Sequence, residues 1–341
     1  MKKNGLFFVC VFTGILFLGS AVTAEDTIPV SVKVTDKQLY TAAEFTKKMA
    51  VILNHYKNTP LDSLQVKEYG EIPFTVELAG KDNKTASLYL RVRINTTDFL
   101  FIYDTGAAFN VITDQTLEKT GIPVDQSVNE ILYLIAAEAK CGGGNFRQNI
   151  FCYIPGTSFG KDANGEDIAG IIGLDFFRRA ASLCVDYKNR KIILNDDPVS
   201  YAGLEKLPLV PDADGTMPLY AVKINLGGTA GTALFDTGCS WLEVNKNTFG
   251  LPVKQVSWQQ LLTMSGVETI KQYYADAGEI RFGSTVLKNV KVVMWDDYTF
   301  SYFPQYKDKD MILGINGFFD RYKVWFFPFS GYACIQPYET Q

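Results

Sequence analysis

Two short stretches of the chain carry residue types that could do acid–base chemistry together. Phe99-Leu100-Phe101-Ile102-Tyr103 leads into Asp104-Thr105-Gly106-Ala107, and Thr232-Ala233-Leu234-Phe235 leads into Asp236-Thr237-Gly238-Cys239. One Asp-Thr-Gly is weak evidence, because all three residues are ordinary turn formers. The recurrence carries more weight: each copy follows an apolar, strand-like run and precedes another, Val111-Ile112 and Trp241-Leu242. Two carboxyl groups held side by side cannot both ionise, so they share a proton, one serving as general base and the other as general acid. Such a pair activates water without a metal or a covalent intermediate.

The repetition continues downstream. Gly170-Ile171-Ile172-Gly173-Leu174-Asp175-Phe176-Phe177 is matched by Met311-Ile312-Leu313-Gly314-Ile315-Asn316-Gly317-Phe318-Phe319, at a slightly greater distance from its aspartate, as one loop insertion would produce. Beyond the glycines, Leu183-Cys184-Val185-Asp186 and Lys191-Ile192-Ile193-Leu194 flank a polar turn. Val324-Trp325-Phe326-Phe327 and Tyr332-Ala333-Cys334-Ile335 flank a turn through Gly331. Both copies are therefore predicted to end in a hairpin. Asn195 to Thr216, rich in Asp, Pro and Gly, reads as the linker between them.

Together these segments resemble the aspartic peptidases of the pepsin and retroviral type, whose motif is Asp-Thr/Ser-Gly followed later by two hydrophobic residues and a glycine. The resemblance covers about Gly70 to the C-terminus. It implies a mostly β, bilobal pepsin/retropepsin-like acid protease fold with a pseudo-twofold repeat, the first lobe spanning residues 69–200 and the second 201–341. It further implies an endopeptidase in which Asp104 and Asp236 activate a water molecule. Thr105 and Thr237 would brace the two loops against one another, while Gly106, Gly238, Gly173 and Gly314 let backbones pass closely. Both copies in one chain imply a monomeric site, a peptide or protein substrate and no cofactor or metal. The alternative on the same fold is a catalytically inactive peptide-binding protein, and a third reading is a self-assembling envelope protein.

One departure from the pepsin pattern bears on pH. Where that family usually has a hydroxyl donor after the glycine, this chain has Ala107 and Cys239. A carboxylate that loses a hydrogen bond to its ionised form has a less depressed pKa, which predicts a milder pH optimum than pepsin's. Substrate contacts are expected from Ala107, Phe109, Cys239, Gly143 and Gly266, with Trp241 and Trp258 either lining subsites or packing in the core. Two stretches could serve as lids: Leu132 to Phe151, holding Cys141-Gly142-Gly143-Gly144 with Cys152 near enough to pair across the tip, and Leu261 to Tyr274, holding Ser265-Gly266.

Composition narrows the alternatives. A chain of 341 residues with 47% hydrophobic side chains can fill about two domains. A net charge of -4 without a Lys/Arg cluster argues against a nucleic-acid partner. The single histidine, His55, leaves little room for a Ser-His-Asp triad and none for a histidine-rich zinc site. Lys2-Lys3, the apolar run Leu6 to Leu18 and the small residues before Ala24 read as a signal peptide over residues 1–24, exporting the protein to the periplasm or beyond without a membrane span. Five cysteines then remain, an odd number. Residues 25–68 form a helical segment. Thr41-Ala42-Ala43-Glu44 is a capping box, and Phe45, Met49, Ile52, Leu53 and Tyr56 share one face of a short N-terminal helix, either docked on the fold or lying over the cleft as an activation segment.

Overall fold

Alternation decides the architecture. In Tyr322–Phe327 the side chains of Tyr322, Val324 and Phe326 enter the main core, while Trp325 and Phe327 point to the opposite face with Cys184, Ile193 and Cys334. That period of two is what a sheet covered on both faces requires. The computed structural model describes residues 70–79, 85–122, 132–153, 158–177, 179–196, 202–211, 219–263, 266–296 and 308–338, with two short strands, β1 (Phe7–Val9) and β2 (Leu16–Leu18). The expected N-terminal helix and the rest of residues 25–68 lie outside these. The protein is mostly β.

In the first half, β3 (Gly70–Ala79), β4 (Thr85–Ile94) and β5 (Thr97–Tyr103) run antiparallel. β5 then pairs in parallel with β9 (Ile168–Ile172), β9 antiparallel with β6 (Asn110–Ile112), and β6 in parallel with β8 (Gly144–Tyr153). β8 pairs with β7 (Leu132–Cys141), whose end returns to β4 and closes the set. Helix α1 (Asp114–Thr120) starts on a side-chain cap from Thr113 and stops at Gly121 in the left-handed region.

The second half uses the same pairings in the same order. β13 (Ala221–Leu226) is antiparallel to β14 (Thr229–Phe235), β14 parallel to β19 (Met311–Leu313), β19 antiparallel to β15 (Glu243–Asn245), and β15 parallel to β18 (Thr285–Trp295). β17 (Gly266–Phe282) closes the set by pairing with both β18 and β13.

Strands from both halves share one run in the order β12 (Leu207–Pro208), β21 (Tyr332–Pro337), β20 (Tyr322–Phe327), β10 (Leu183–Asp186), β11 (Lys191–Leu194), β3. The two hairpins expected from the sequence are β10–β11 and β20–β21, and they join each other through β10 and β20.

The hairpin arms of the two halves differ. The β7–β8 tip at Gly142-Gly143, expected to be part of a lid, is instead fastened to the start of β3: the Gly143 N–H donates to the Glu71 carbonyl at 3.4 Å, and a β-carbon on Gly142 would meet that carbonyl at 2.7 Å. The corresponding β17–β18 turn is held likewise, with Ser284 N–H donating to Glu205 at 2.7 Å. No disulfide crosses the β7–β8 tip. Cys141 stands opposite Gly144 at the tip and Cys152 opposite Tyr133 near the base, so the two thiols lie too far apart along the hairpin to bond, and neither is in a disulfide. By contrast, β16 (Gln255–Thr263) and the first part of β17 form an arm that outruns the sheet. Residues 266–272 of β17 pair with β16 but not with β18, an overhang of about 20 Å at strand rise. β2 pairs along the same arm, on β16.

Candidate active site

Asp104 and Asp236 each follow the last residue of a central strand, β5 and β14, and each is fixed by the neighbouring parallel strand. The Asp104 N–H donates to the Ile172 carbonyl at 3.0 Å, and the Asp236 N–H to the Leu313 carbonyl at 3.1 Å. Each chain then turns back sharply. In the first loop the N–H groups of Gly106 and Ala107 donate to Asp104 Oδ1 at 2.8 and 3.1 Å. In the second, Gly238 and Cys239 donate to Asp236 Oδ1 at 2.8 and 3.0 Å. One oxygen of each carboxyl group is therefore occupied by its own loop, which fixes the orientation of the other.

The threonines hold the two loops together. Thr105 N–H donates to Thr237 Oγ1 at 3.0 Å, and Thr237 N–H donates to Thr105 Oγ1 at 2.9 Å. Their hydroxyls donate onward across the interface, Thr105 to the Phe235 carbonyl at 2.9 Å and Thr237 to the Tyr103 carbonyl at 3.0 Å. All four bonds are buried, where each unmade bond would leave an orphaned polar group. Ser240 adds a further tie between the halves, accepting from the Ala86 N–H at 3.3 Å and donating to the Ala86 carbonyl at 3.0 Å.

With the loops so close, each carboxyl group rests on the other loop's glycine. A β-carbon on Gly106 would stand 2.3 Å from Asp236 Oδ2, and one on Gly238 would stand 2.4 Å from Asp104 Cγ. No side chain fits at either place. Asp104 and Asp236 thus face each other across two glycine backbones, both buried at about 1% exposure.

Gly173 and Gly314 support these loops from behind. A β-carbon on Gly173 would strike the Phe109 carbonyl at 2.3 Å, and one on Gly314 the Trp241 carbonyl at 2.1 Å. The residues after them donate to the loops: Leu174 N–H to the Ala107 carbonyl at 2.8 Å and Ile315 N–H to the Cys239 carbonyl at 2.9 Å. Asn110 links the first pair further, accepting from the Gly173 N–H at 3.0 Å and donating to the Ile150 carbonyl at 3.0 Å.

The residues expected to touch substrate are placed less uniformly. Ala107, Phe109 and Cys239 are buried beside the loops. The Cys239 thiol donates to the Trp241 carbonyl at 3.3 Å, and Trp241 is part-exposed against the core. Gly143 lies in the tip tied to β3. Gly266 opens β17 opposite Thr263, at the far end of the overhanging arm.

One acidic residue at the site was not among those expected. Glu243 opens β15 at the place where β6 has Val111, as the matched pairings Glu243↔Ile312 and Val111↔Ile171 show. It is buried, accepts from Trp295 Nε1 at 2.8 Å and lies beside the Cys239 thiol. Burial pushes its carboxyl up to about 7; the Trp295 and Cys239 hydrogen bonds oppose that, and the charge of Asp236 adds to it. The clue in the sequence was a charged residue within the apolar run after the second Asp-Thr-Gly, where the first copy has none. Among the described residues no cluster of three or more His, Cys, Asp or Glu side chains is arranged to hold a metal.

No protein-family model matches the chain, and no curated protein matches it. Among solved structures, it is similar to the crystal structure of Basic 7S globulin from soybean, with a TM-score of 0.44 at 12% identity over 80% of this chain and 95% of that one.

Proposed function

We propose that the chain is an aspartic endopeptidase built as a bilobal, pepsin/retropepsin-like molecule with a pseudo-twofold axis between Thr105 and Thr237. The observation that carries this reading is the reciprocal seating of Asp104 and Asp236 on Gly238 and Gly106. It gives two carboxyl groups that each rest on the other's loop, each with one oxygen committed to its own loop.

In such a pair one proton is shared. The ionised carboxylate takes a proton from a water molecule as its oxygen attacks the peptide carbonyl carbon. The protonated partner delivers its proton to the carbonyl oxygen, giving a neutral tetrahedral diol. Collapse of the diol breaks the C–N bond as a proton passes to the departing nitrogen, leaving a carboxylic acid and an amine. Backbone amides and the threonine brace supply preorganisation, so the carboxyl groups need not reorient during the reaction. The β16–β17 arm is the better placed of the two expected lids, because its distal part is free of β18. We place the working protein, as a monomer, in the periplasm or outside the cell, after cleavage of the leader at Ala24.

The deciding experiment incubates the protein lacking residues 1–24 with a mixed peptide library from pH 3 to 8, beside Asp104→Asn and Asp236→Asn. Cleavage by the parent that disappears in both variants is the expected result. Cleavage that persists in either variant removes the dyad assignment. Binding of peptides without cleavage assigns the fold to peptide capture instead.

A further inference from the structure

Three features of the molecule remain unused by this mechanism. The outer face of the shared sheet carries an apolar cluster of Cys184, Ile193, Trp325, Phe327 and Cys334. Leu204 and Tyr332 pack against it, so the cluster is already part-covered by this chain. The acidic loop around Asp162 is occupied with its own backbone, Asn164 and Glu166 N–H groups both donating to Asp162 Oδ1. The third feature is Glu243, a buried acid beside the second catalytic loop and without a counterpart in the first.

Resting on the peptidase reading, we infer that Glu243 is a positioning residue that works as a neutral acid, bracing the Asp236 loop against β18, and that its ionisation sets the alkaline limit of activity.

The brace is geometric. Glu243 accepts from Trp295 Nε1 on β18 at 2.8 Å and packs beside Cys239, which lies in the loop three residues after Asp236 and gives its thiol proton to the Trp241 carbonyl. Cys239 N–H donates to Asp236 Oδ1, so whatever holds Cys239 also holds the catalytic carboxyl group. β18 and β19 bring no acidic or basic residue to Glu243: the residues opposite are Val293, Met294 and Trp295 on one side and Met311 and Ile312 on the other. Nearby cations and acids are engaged elsewhere. Lys246, on the short helix α2 (Lys246–Phe249), lies over the Tyr273 ring, and Asp310 accepts from Thr232 N–H and Thr248 Oγ1. Lys309, buried just before β19, is not among the groups that shift Glu243. Among the described residues the charge that acts on Glu243 is that of Asp236, which has the same sign. While Glu243 is protonated the site carries one negative charge, on the dyad. Once it ionises, a second negative charge is buried beside that of Asp236, and the loop is the element that yields.

The sign of the linked stability follows. An unfolded glutamate titrates near 4.5 and the folded Glu243 near 7, so between those values the folded state holds the extra proton. Stability from this group is complete below about 4.5 and falls as pH rises toward 7.

The test compares the parent with Glu243→Gln, which stays neutral at every pH and keeps an acceptor for Trp295, and with Glu243→Val, which copies Val111. Two readouts are taken: kcat and KM on one peptide from pH 4 to 9, and Tm at pH 5 and pH 8. We expect the ratio of kcat/KM at pH 8 to that at pH 5 to rise about tenfold in Glu243→Gln. In Glu243→Val we expect kcat to fall about tenfold with KM little changed, because the loop is misplaced rather than the substrate. Glu243→Gln should gain Tm over the parent on moving from pH 5 to pH 8. Superimposable pH profiles of parent and Glu243→Gln, an unaltered kcat in Glu243→Val, or a Tm difference independent of pH would each overturn the inference. A parent that cleaves nothing, with a Tm difference that still grows with pH, sinks the peptidase reading and the alkaline limit while leaving the neutral acid in place.

Discussion

Gly238 lies against the Asp104 carboxyl group so closely that a β-carbon there would fall 2.4 Å from Cγ, and the neighbouring threonine bonds prevent the loop from backing away. Gly238→Ala is therefore expected to displace the opposing carboxyl group. A shift of about 1 Å at reacting groups costs on the order of a hundredfold in rate. The check is kcat/KM beside a circular dichroism spectrum; a folded Gly238→Ala variant with the parent's rate would show that the loops are looser than described.

Thr237→Val keeps the shape of the brace and removes its chemistry. It leaves the Thr105 N–H and the Tyr103 carbonyl without partners inside the protein, at about 1–3 kcal/mol each. Urea denaturation should show a loss of about 2–6 kcal/mol, and Thr237→Ser, which retains the hydroxyl, should recover most of it. A loss in Thr237→Ser as large as in Thr237→Val would show that the hydroxyl bonds do not carry the brace.

Two adjacent glycines in the β7–β8 tip should respond differently to alanine. Gly142 has a φ of +54° and a β-carbon there would press on Glu71 and Ile72, whereas a β-carbon on Gly143 would meet nothing within 4 Å. Gly142→Ala is expected to cost about 1–3 kcal/mol. Gly143→Ala should stay within about 0.5 kcal/mol of the parent by thermal melting. Similar behaviour of the two would mean that the tip is not held on β3.

Cys141, Cys152, Cys184, Cys239 and Cys334 are all buried thiols outside any disulfide, and burial raises those of Cys141 and Cys152 far above their ordinary range. Thiolate is the reactive form, so the folded protein should be inert to a thiol reagent at pH 8. After denaturation without reductant, five thiols should react in the protein lacking residues 1–24. Fewer than five would reveal a disulfide.

The pairing of Asp104 with Asp236 was legible because the same local pattern occurs twice, and the two terminal hairpins because their alternation is strict. Glycine spacing located Gly173 and Gly314, since a backbone passing over carbonyls leaves no room for any other residue. What could not be read is tertiary. Gly142 to Gly144 have the composition of a free loop, yet that tip is fastened by one backbone bond to a strand some seventy residues earlier in the chain. Cys141 and Cys152 are near in sequence but at opposite ends of one hairpin arm. Glu243 was overlooked because an acid within an apolar run is usually solvated on a strand's open face, whereas here both faces are covered.

The adjacency of β10 and β20 puts a strand from each half at the centre of one shared sheet. Cutting the chain between the halves would thus not yield two self-sufficient pieces, because each would carry a raw edge complementary to the other. Expressed as separate polypeptides, the halves should seek one another out, and co-purification would report their reunion along a seam already present in the fold.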